Sequence, residues 1–279
     1  MSAGCLYLVP VPIGNLGDIT LRALEILKSV TLIAAEDTRK TRFLLTQYEI
    51  KAPRLLSLHK YNEKQRLAEI LAVLGQGTDV AVVTDAGTPG ISDPALLLIQ
   101  SAISHQIKVV PLPGATALIP ALTASGLDSG EFQFLGFLPL KLKNRNRQLE
   151  RIKESPCTTV LYEAPHRLKS TLEDIFSHCG NRRICIAREI SKIYEEFIRG
   201  DLQEILADYE IKEKGEFVVL IDAAGPAPKA TESQITSFID SLSEENLSSR
   251  SLADEVARRF GLNRNEAYQI VLAQKRTKQ

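Results

Sequence analysis

Short β-branched runs alternate with amphipathic stretches through the first 113 residues, and this alternation restricts the architecture more than any other feature of the chain. Strands are expected at 4–9, 32–35, 55–57, 80–84 and 109–112. Helices are expected at 20–28, 38–48, 62–74 and 94–105. Strand, helix, strand in repetition reads as a parallel sheet covered by helices. In such a sheet ligands sit beyond the carboxyl ends of the strands, so the loops that follow the strands are the places to search for chemistry.

Pro111-Leu-Pro113-Gly114 interrupts the pattern. A small-residue helix at 115–125 follows, then strand signals at 132–137, 158–162, 184–187, 195–200 and 216–222, with a helical, basic stretch at 141–153 among them. Ala223 to Pro228 has the composition of a linker. Beyond it, Ser251-Leu-Ala-Asp254 and Asn263-Arg-Asn-Glu266 read as two capping boxes with Gly261 between them, like a small helix–turn–helix. The expected organisation is α/β: an N-terminal α/β domain over 1–113, a second over 114–225, and a linker with a small helical tail over 226–279.

Hydrophobic residues make up 44% and charged residues 24% of the 279, as in globular proteins. No run approaches eighteen apolar residues, and Met1 to Val11 has no basic leader, so neither a membrane span nor a signal peptide is expected. Cys5, Cys157, Cys179 and Cys185 lack metal-ligand spacing and the four histidines are scattered, so no metal is expected. A reducing, cytoplasmic setting fits. The formal net charge is zero, so a nucleic-acid partner would have to be held by local basic patches.

Val82 to Pro94 is the most informative loop. A strand ends in Asp85, then Gly87 and Gly90 allow close approach of backbone to a ligand, and Asp93 and Pro94 suit an N-cap and first helical position. It has neither the Lys-Ser/Thr of a P-loop nor a G-x-G-x-x-G spacing, which favours a nucleoside-like ligand without phosphate. An ordinary strand-to-helix turn would look similar. Residues 9–18 form a second glycine-rich loop without a basic residue, which is also what a rigid loop with Asp18 capping the next helix would give. Residues 113–117 would let a flat ring lie on backbone, or simply pack a helix closely on a sheet. Tyr162 and Glu163 end a strand, as substrate-site residues often do, with His166 a weaker candidate. Glu36-Asp37-Thr38-Arg39-Lys40-Thr41 is either a solvated helix start or an acid–base edge that meets phosphate.

Taken in order, "VPVPIGNLGDIT", "LIAAEDTRKTRFLL", "DAGTPGISDP", "VVPLPGATALIPALTASGL", "FLGFLP", "LYEAPHRL", "AREISKIYEEFIRG" and "KGEFVVLID" resemble the bacterial small-subunit ribosomal RNA (cytidine-2′-O)-methyltransferases of the tetrapyrrole-methylase superfamily, from about Leu6 to Asp222. The resemblance implies two α/β domains with S-adenosylmethionine in the cleft between them, and a homodimer. It implies that the substrate is 16S rRNA or the small ribosomal subunit, with the methyl group going to the ribose of cytidine 1402 in the decoding centre. By matching position it implies donor contacts at Pro12, Ile13, Gly14, Asp85, Ala86, Gly87, Thr88, Pro89, Pro113, Gly114, Ala115, Thr116 and Tyr162, with Glu163 in the same motif as Tyr162. A tetrapyrrole-precursor C-methyltransferase, or a non-catalytic ribosome-binding module of the same fold, are the alternatives.

A ribose hydroxyl is a poor nucleophile, so a positioned base is expected. The candidates are Asp37, Glu36 and Glu163, with His59 and Glu189 behind them and Asp37 slightly ahead. RNA contacts are expected from Arg39, Lys40 and Arg42, from Lys141, Lys143, Arg145, Arg147, Arg151 and Lys153, and from Arg258, Arg259, Arg264, Lys275 and Arg276 in the tail. For any one of these runs a solvated helix face is the alternative.

Overall fold

The computed structural model describes residues 3–92, 95–210, 214–225, 232–242, 248–260 and 262–277. Residues 3–223 form one compact unit and the described residues from 224 onward form another.

The first unit opens with β1 (Leu6–Leu8), α1 (Leu21–Ser29), β2 (Leu32–Ala35), α2 (Thr38–Gln47), β3 (Arg54–Ser57), α3 (Glu63–Gly75), β4 (Val80–Val83), α4 (Leu96–Ser104) and β5 (Val109–Pro111). The five strands pair in parallel, in the order β3-β2-β4-β1-β5. Every residue of β2 and β4 is buried, as expected of strands covered on both faces. Along β1 the side chains divide by alternation. Leu6 and Leu8 pack with Ile70 and Leu74 of α3 and Leu98 of α4, whereas Tyr7 and Val9 pack with Leu27 of α1 and Leu45 of α2.

Strands β1 and β4 are neighbours, yet the helices that follow them lie on opposite faces of the sheet. Their outgoing loops therefore diverge and leave a crevice at the carboxyl edge, where open α/β sheets hold ligands.

After α5 (Leu118–Ala124) come β6 (Phe132–Phe137), α6 (Leu142–Lys153), β7 (Thr158–Glu163), α7 (Leu168–Cys179), β8 (Arg183–Arg188), β9 (Glu196–Asp201), α8 (Leu202–Asp208) and β10 (Phe217–Ile221). This second sheet runs β6-β7-β10-β8-β9 and is mixed: β6 and β7 are parallel, and the remaining pairs are antiparallel. A bulge at Leu135 shifts the register between β6 and β7. One face packs against α6, α7 and α8 through Leu149, Ile175 and Leu202. The other face packs against Ala121 and Leu122 of α5 and against Ile13, which belongs to the loop after β1. Cys185 is buried on that face, and burial pushes its thiol up to about 11, as for an inert core residue.

The second unit holds α9 (Glu232–Ser241), α10 (Ser249–Phe260) and α11 (Arg264–Thr277), joined by a small core of Ile235, Ile239, Leu252, Val256 and Val271. Among the described residues no helix is long and apolar enough to cross a membrane.

Two local expectations are corrected and a third holds. Asp18 does not cap α1; the Thr20 hydroxyl accepts from the Ala23 amide at 3.1 Å and does so instead. Ser251 lies inside α10, and Ser248 accepts from the Ser251 amide at 3.2 Å, so the helix starts one turn earlier than the Ser251–Asp254 box implies. Asn263 does cap α11, accepting from Asn265 N at 2.9 Å. Asp93, Pro94 and Gly261 lie outside the described residues.

Candidate active site

The loops after β1 and β4 are stitched together. Val11 and Gly87 exchange two backbone hydrogen bonds, each 2.9 Å, as an isolated antiparallel bridge. Gly87 sits at φ +76°, where a side chain would be strained, so the turn into the Gly-Thr-Pro segment requires glycine. The Thr88 hydroxyl donates to the Ala115 carbonyl at 3.0 Å and so fixes the third loop to the second. Gly114 serves close packing: a Cβ there would stand 2.5 Å from Cβ of Pro10.

Between these loops and the second sheet lies a cavity of about 360 Å³. Ile13, Ala86, Gly87, Thr88 and Thr116 form the wall from the first half. Phe137, Tyr162, Glu163, Ile190 and residues 215–218 form the opposite wall. Phe134 and Phe137 meet the Tyr162 ring edge-on, at centroid distances of 4.9 and 5.8 Å, and hold it in place. Among the described lining residues there is no Lys or Arg, and two are carboxylates, Glu163 and Glu216. Such a lining suits an uncharged or cationic ligand and disfavours a phosphate.

A second cavity, about 570 Å³, opens on the other side of the same loops. Pro12, Thr84 and Asp85 meet the start of α2 there, at Asp37, Arg39, Lys40 and Phe43. The two cavities share walls through consecutive residues: Pro12 faces one and Ile13 the other, Asp85 one and Ala86 the other. The Asp85 carboxylate accepts from Lys40 Nζ at 2.7 Å and from the Asp37 amide at 3.1 Å, while the Asp85 amide donates to Glu36 Oε2 at 3.1 Å. The hydrogen bond from Lys40 to Asp85 raises the lysine pKa and keeps it cationic. Asp37 caps α2, accepting from the Arg39 amide at 2.8 Å and from the Arg39 guanidinium at 2.8 and 3.1 Å. Those Arg39 contacts hold the Asp37 carboxyl far below the usual carboxylate range.

Sequence reasoning placed Asp85 with the donor loops, but its side chain faces the second cavity. Pro12 does the same, whereas Ile13, Ala86, Gly87, Thr88, Thr116, Tyr162 and Glu163 meet in the first. Gly14, Pro89, Pro113, Gly114 and Ala115 support these walls and line neither cavity. Glu163 is a poor candidate for a base. It is 2% exposed and accepts from the Thr171 hydroxyl at 2.5 Å and the Ala164 amide at 2.8 Å, with Arg167 at 3.4 Å. His59 accepts from the Tyr61 amide in the turn before α3 and lines neither cavity.

The turn after β8, from which the sequence offered only Glu189, reaches across to the first loops. The Ser191 hydroxyl donates to Asp18, and the Lys192 stem occupies the space a Cβ on Gly14 would need. Lys192 Nζ pairs with Glu189 at 2.8 Å and Glu216 at 3.1 Å. Partial burial works against the charge on Lys192, but its two carboxylate partners outweigh it and raise the pKa. Burial likewise works against ionised Glu189, and Lys192 with the Glu216 amide overcomes it and lowers that pKa. Both φ +51° at Glu189 and φ +66° at Ser191 belong to this turn.

Of the basic runs, Arg39, Lys40 and Arg42 are exposed beside the second cavity, and Lys141, Lys143 and Arg147 are exposed on or just before α6. Arg145 departs from the expectation: it is 9% exposed, pairs with Asp174 at 2.6 Å and donates to the Thr171 hydroxyl at 3.0 Å. It braces α6 on α7 and is not a free cation. In the tail Arg258 pairs with Glu255 and Arg264 with Asp254, and the side chains of Lys275 and Arg276 lie outside the described residues. No cluster that could hold a metal ion occurs among the described residues.

Residues 5–206 match the family model described as Tetrapyrrole (Corrin/Porphyrin) Methylases. The chain is 44% identical over 273 residues to the ribosomal RNA small subunit methyltransferase I of a Synechocystis strain, covering 96% of this chain and 98% of that one. Among solved structures it is similar to the methyltransferase CobJ, with a TM-score of 0.60 and 20% identity over 80% of this chain and 95% of that one. It is also similar to a Thermus thermophilus uroporphyrin-III C-methyltransferase complexed with S-adenosylhomocysteine, with a TM-score of 0.56 and 18% identity over 78% of this chain and 97% of that one. At such identities the two structures establish the fold, whose paired sheets are those described above.

Proposed function

This chain belongs to the ribosomal RNA small subunit methyltransferase I family of the tetrapyrrole methylases, and on that footing we propose that it methylates the ribose 2′ oxygen of a cytidine in 16S rRNA, cytidine 1402 in the usual numbering, with S-adenosylmethionine as donor. The observation that carries the reading is the cavity between the two sheets, whose described lining residues include no Lys or Arg. A donor whose sulfonium and ammonium outweigh its single carboxylate, and which carries no phosphate, fits this lining. The aromatic walls of Phe137 and Tyr162 suit a cation, and a volume of about 360 Å³ lies within the range of small-molecule sites.

When bound, S-adenosylmethionine supplies an electrophilic methyl carbon. The protein's part is then mostly placement. Ile13, Gly87 and Thr88 present backbone and small side chains to the donor, and Tyr162 closes the opposite wall. Holding the acceptor in line is worth up to about 7–11 kcal/mol. The acceptor proton must also leave. Asp37 is a poor acceptor for it, since its carboxyl is committed to Arg39. We assign the task to Asp85: it too is paired, with Lys40 at 2.7 Å, but it lines the second cavity and directly precedes Ala86 of the first. Asp85→Asn should lower kcat by about 10²–10⁴-fold while leaving calorimetric affinity for S-adenosylhomocysteine intact; a loss of that affinity with unchanged kcat would reverse the assignment.

We further propose that the chain works in the cytoplasm as a homodimer. A tetrapyrrole acceptor is less well supported, because the named relative at 44% identity is a ribosomal RNA enzyme and the likeness to corrin and porphyrin enzymes is one of fold. The test is mass mapping of ribose methylation in 16S rRNA from cells with and without the chain. Loss of a 2′-O-methylcytidine in its absence is expected; an unchanged map would overturn the proposal.

A further inference from the structure

Phe43 has no structural reason to be aromatic. It lies on α2 at 66% exposure, on the face opposite the buried Thr41 and Leu45. It lines the second cavity with Arg39 and Lys40, and exposed Arg42 precedes it in the chain. An uncovered aromatic ring next to exposed Arg42, with Arg39 and Lys40 paired to Asp37 and Asp85 beside it, borders a cavity of about 570 Å³, and a ring against a base with a cation against phosphate is how proteins hold unpaired nucleotides. Pro12 and Asp85 of this cavity are followed in the chain by Ile13 and Ala86 of the first, so a nucleotide held here lies against the same two loops that line the donor cavity.

We propose that the second cavity is the acceptor site, and that Phe43 stacks on a base of an unpaired RNA nucleotide while exposed Arg42 offsets its phosphate and Arg39 and Lys40 stay with Asp37 and Asp85. The inference rests on the methyltransferase reading above and adds the place and mode of RNA binding. Phe43 is a substrate-binding residue in this scheme, since stacking accepts any base, and Lys40 orients Asp85.

The test uses the full chain and small ribosomal subunits from cells that lack it. Phe43→Ala is expected to lower kcat/KM for subunits between about fivefold and a hundredfold, the range of one lost base–aromatic stack. Affinity for S-adenosylhomocysteine and melting temperature should not change, because the ring is exposed and lies outside the first cavity. Phe43→Trp, which keeps a stacking face, should recover most of the loss. Unaltered kcat/KM in Phe43→Ala, or a Trp variant no better than Ala, would overturn the stacking role. Wild-type protein that leaves subunit RNA unmethylated would instead remove the methyltransferase reading itself.

Discussion

At the scale of single residues, charge partners decide which candidates remain available for chemistry. Asp37, Glu163 and Arg145 all stood out in the sequence, and each is committed to a neighbour in the fold. For Asp37 the consequence can be worked out with its sign. Its folded pKa lies below the ordinary 3.8, so its pairing with Arg39 adds stability above that value and loses it as pH falls through the folded pKa. Asp37→Asn keeps a capping side chain, so it should flatten the acid limb of a stability-versus-pH curve. The same variant should leave the neutral pH–rate profile unmoved; a shifted profile would restore Asp37 as the base. Arg145→Met should cost about 1.5–3 kcal/mol in urea unfolding, since charge-assisted hydrogen bonds to Asp174 and Thr171 are lost. Arg147→Met, on the exposed side of α6, should change stability little. The turn of Arg145 was legible: it precedes Leu149 by four residues and Ile152 by seven, the spacing of one buried helix face. A run of basic residues drew attention away from that period.

At the scale of elements, the strands were the most legible part. β2 and β6 fall at the expected residues, because a short continuous apolar run such as Leu-Ile-Ala-Ala, or phenylalanines at alternating positions, admits few other roles. Helix starts were less legible, since Asp18 and Thr20 both resemble caps and only geometry shows which hydroxyl or carboxylate faces the first turn. Strand direction in the second sheet could not be read at all, because periodicity carries no sign of direction and β8–β9 joins through a seven-residue turn. The glycines separate by cause. Gly114→Ala should cost about 1–3 kcal/mol by overpacking against Pro10, measured by thermal unfolding. Gly87→Ala meets only ordinary contacts, at 3.5 Å to Ile13, so its cost should come from φ strain and amount to about 1–2 kcal/mol. Equal and negligible losses in both would contradict the tight loop junction.

At the scale of the whole first unit, the site is a product of folding that no single motif contains. The loops after β1 and β4 were identified from glycine, proline and a terminal carboxylate. Their partners on the far wall, Phe137, Ile190 and Glu216, come from three separate elements that meet only when the second sheet packs against Ile13. That pairing is long-range, so the sequence marked one wall of the cavity and, of the other, only Tyr162 and Glu163. The same packing splits the expected donor set, with Asp85 turned to one side of the loop and Ala86 to the other.

The central claim is that the cavity between the sheets holds the methyl donor. Ala86 is exposed and lines that cavity, so Ala86→Phe would fill it without entering the core. Calorimetric titration of S-adenosylhomocysteine into the wild type and this variant should show binding in the first and at least about a tenfold loss in the second, with melting temperatures of the two unliganded proteins alike. Equal affinity in both would contradict the account.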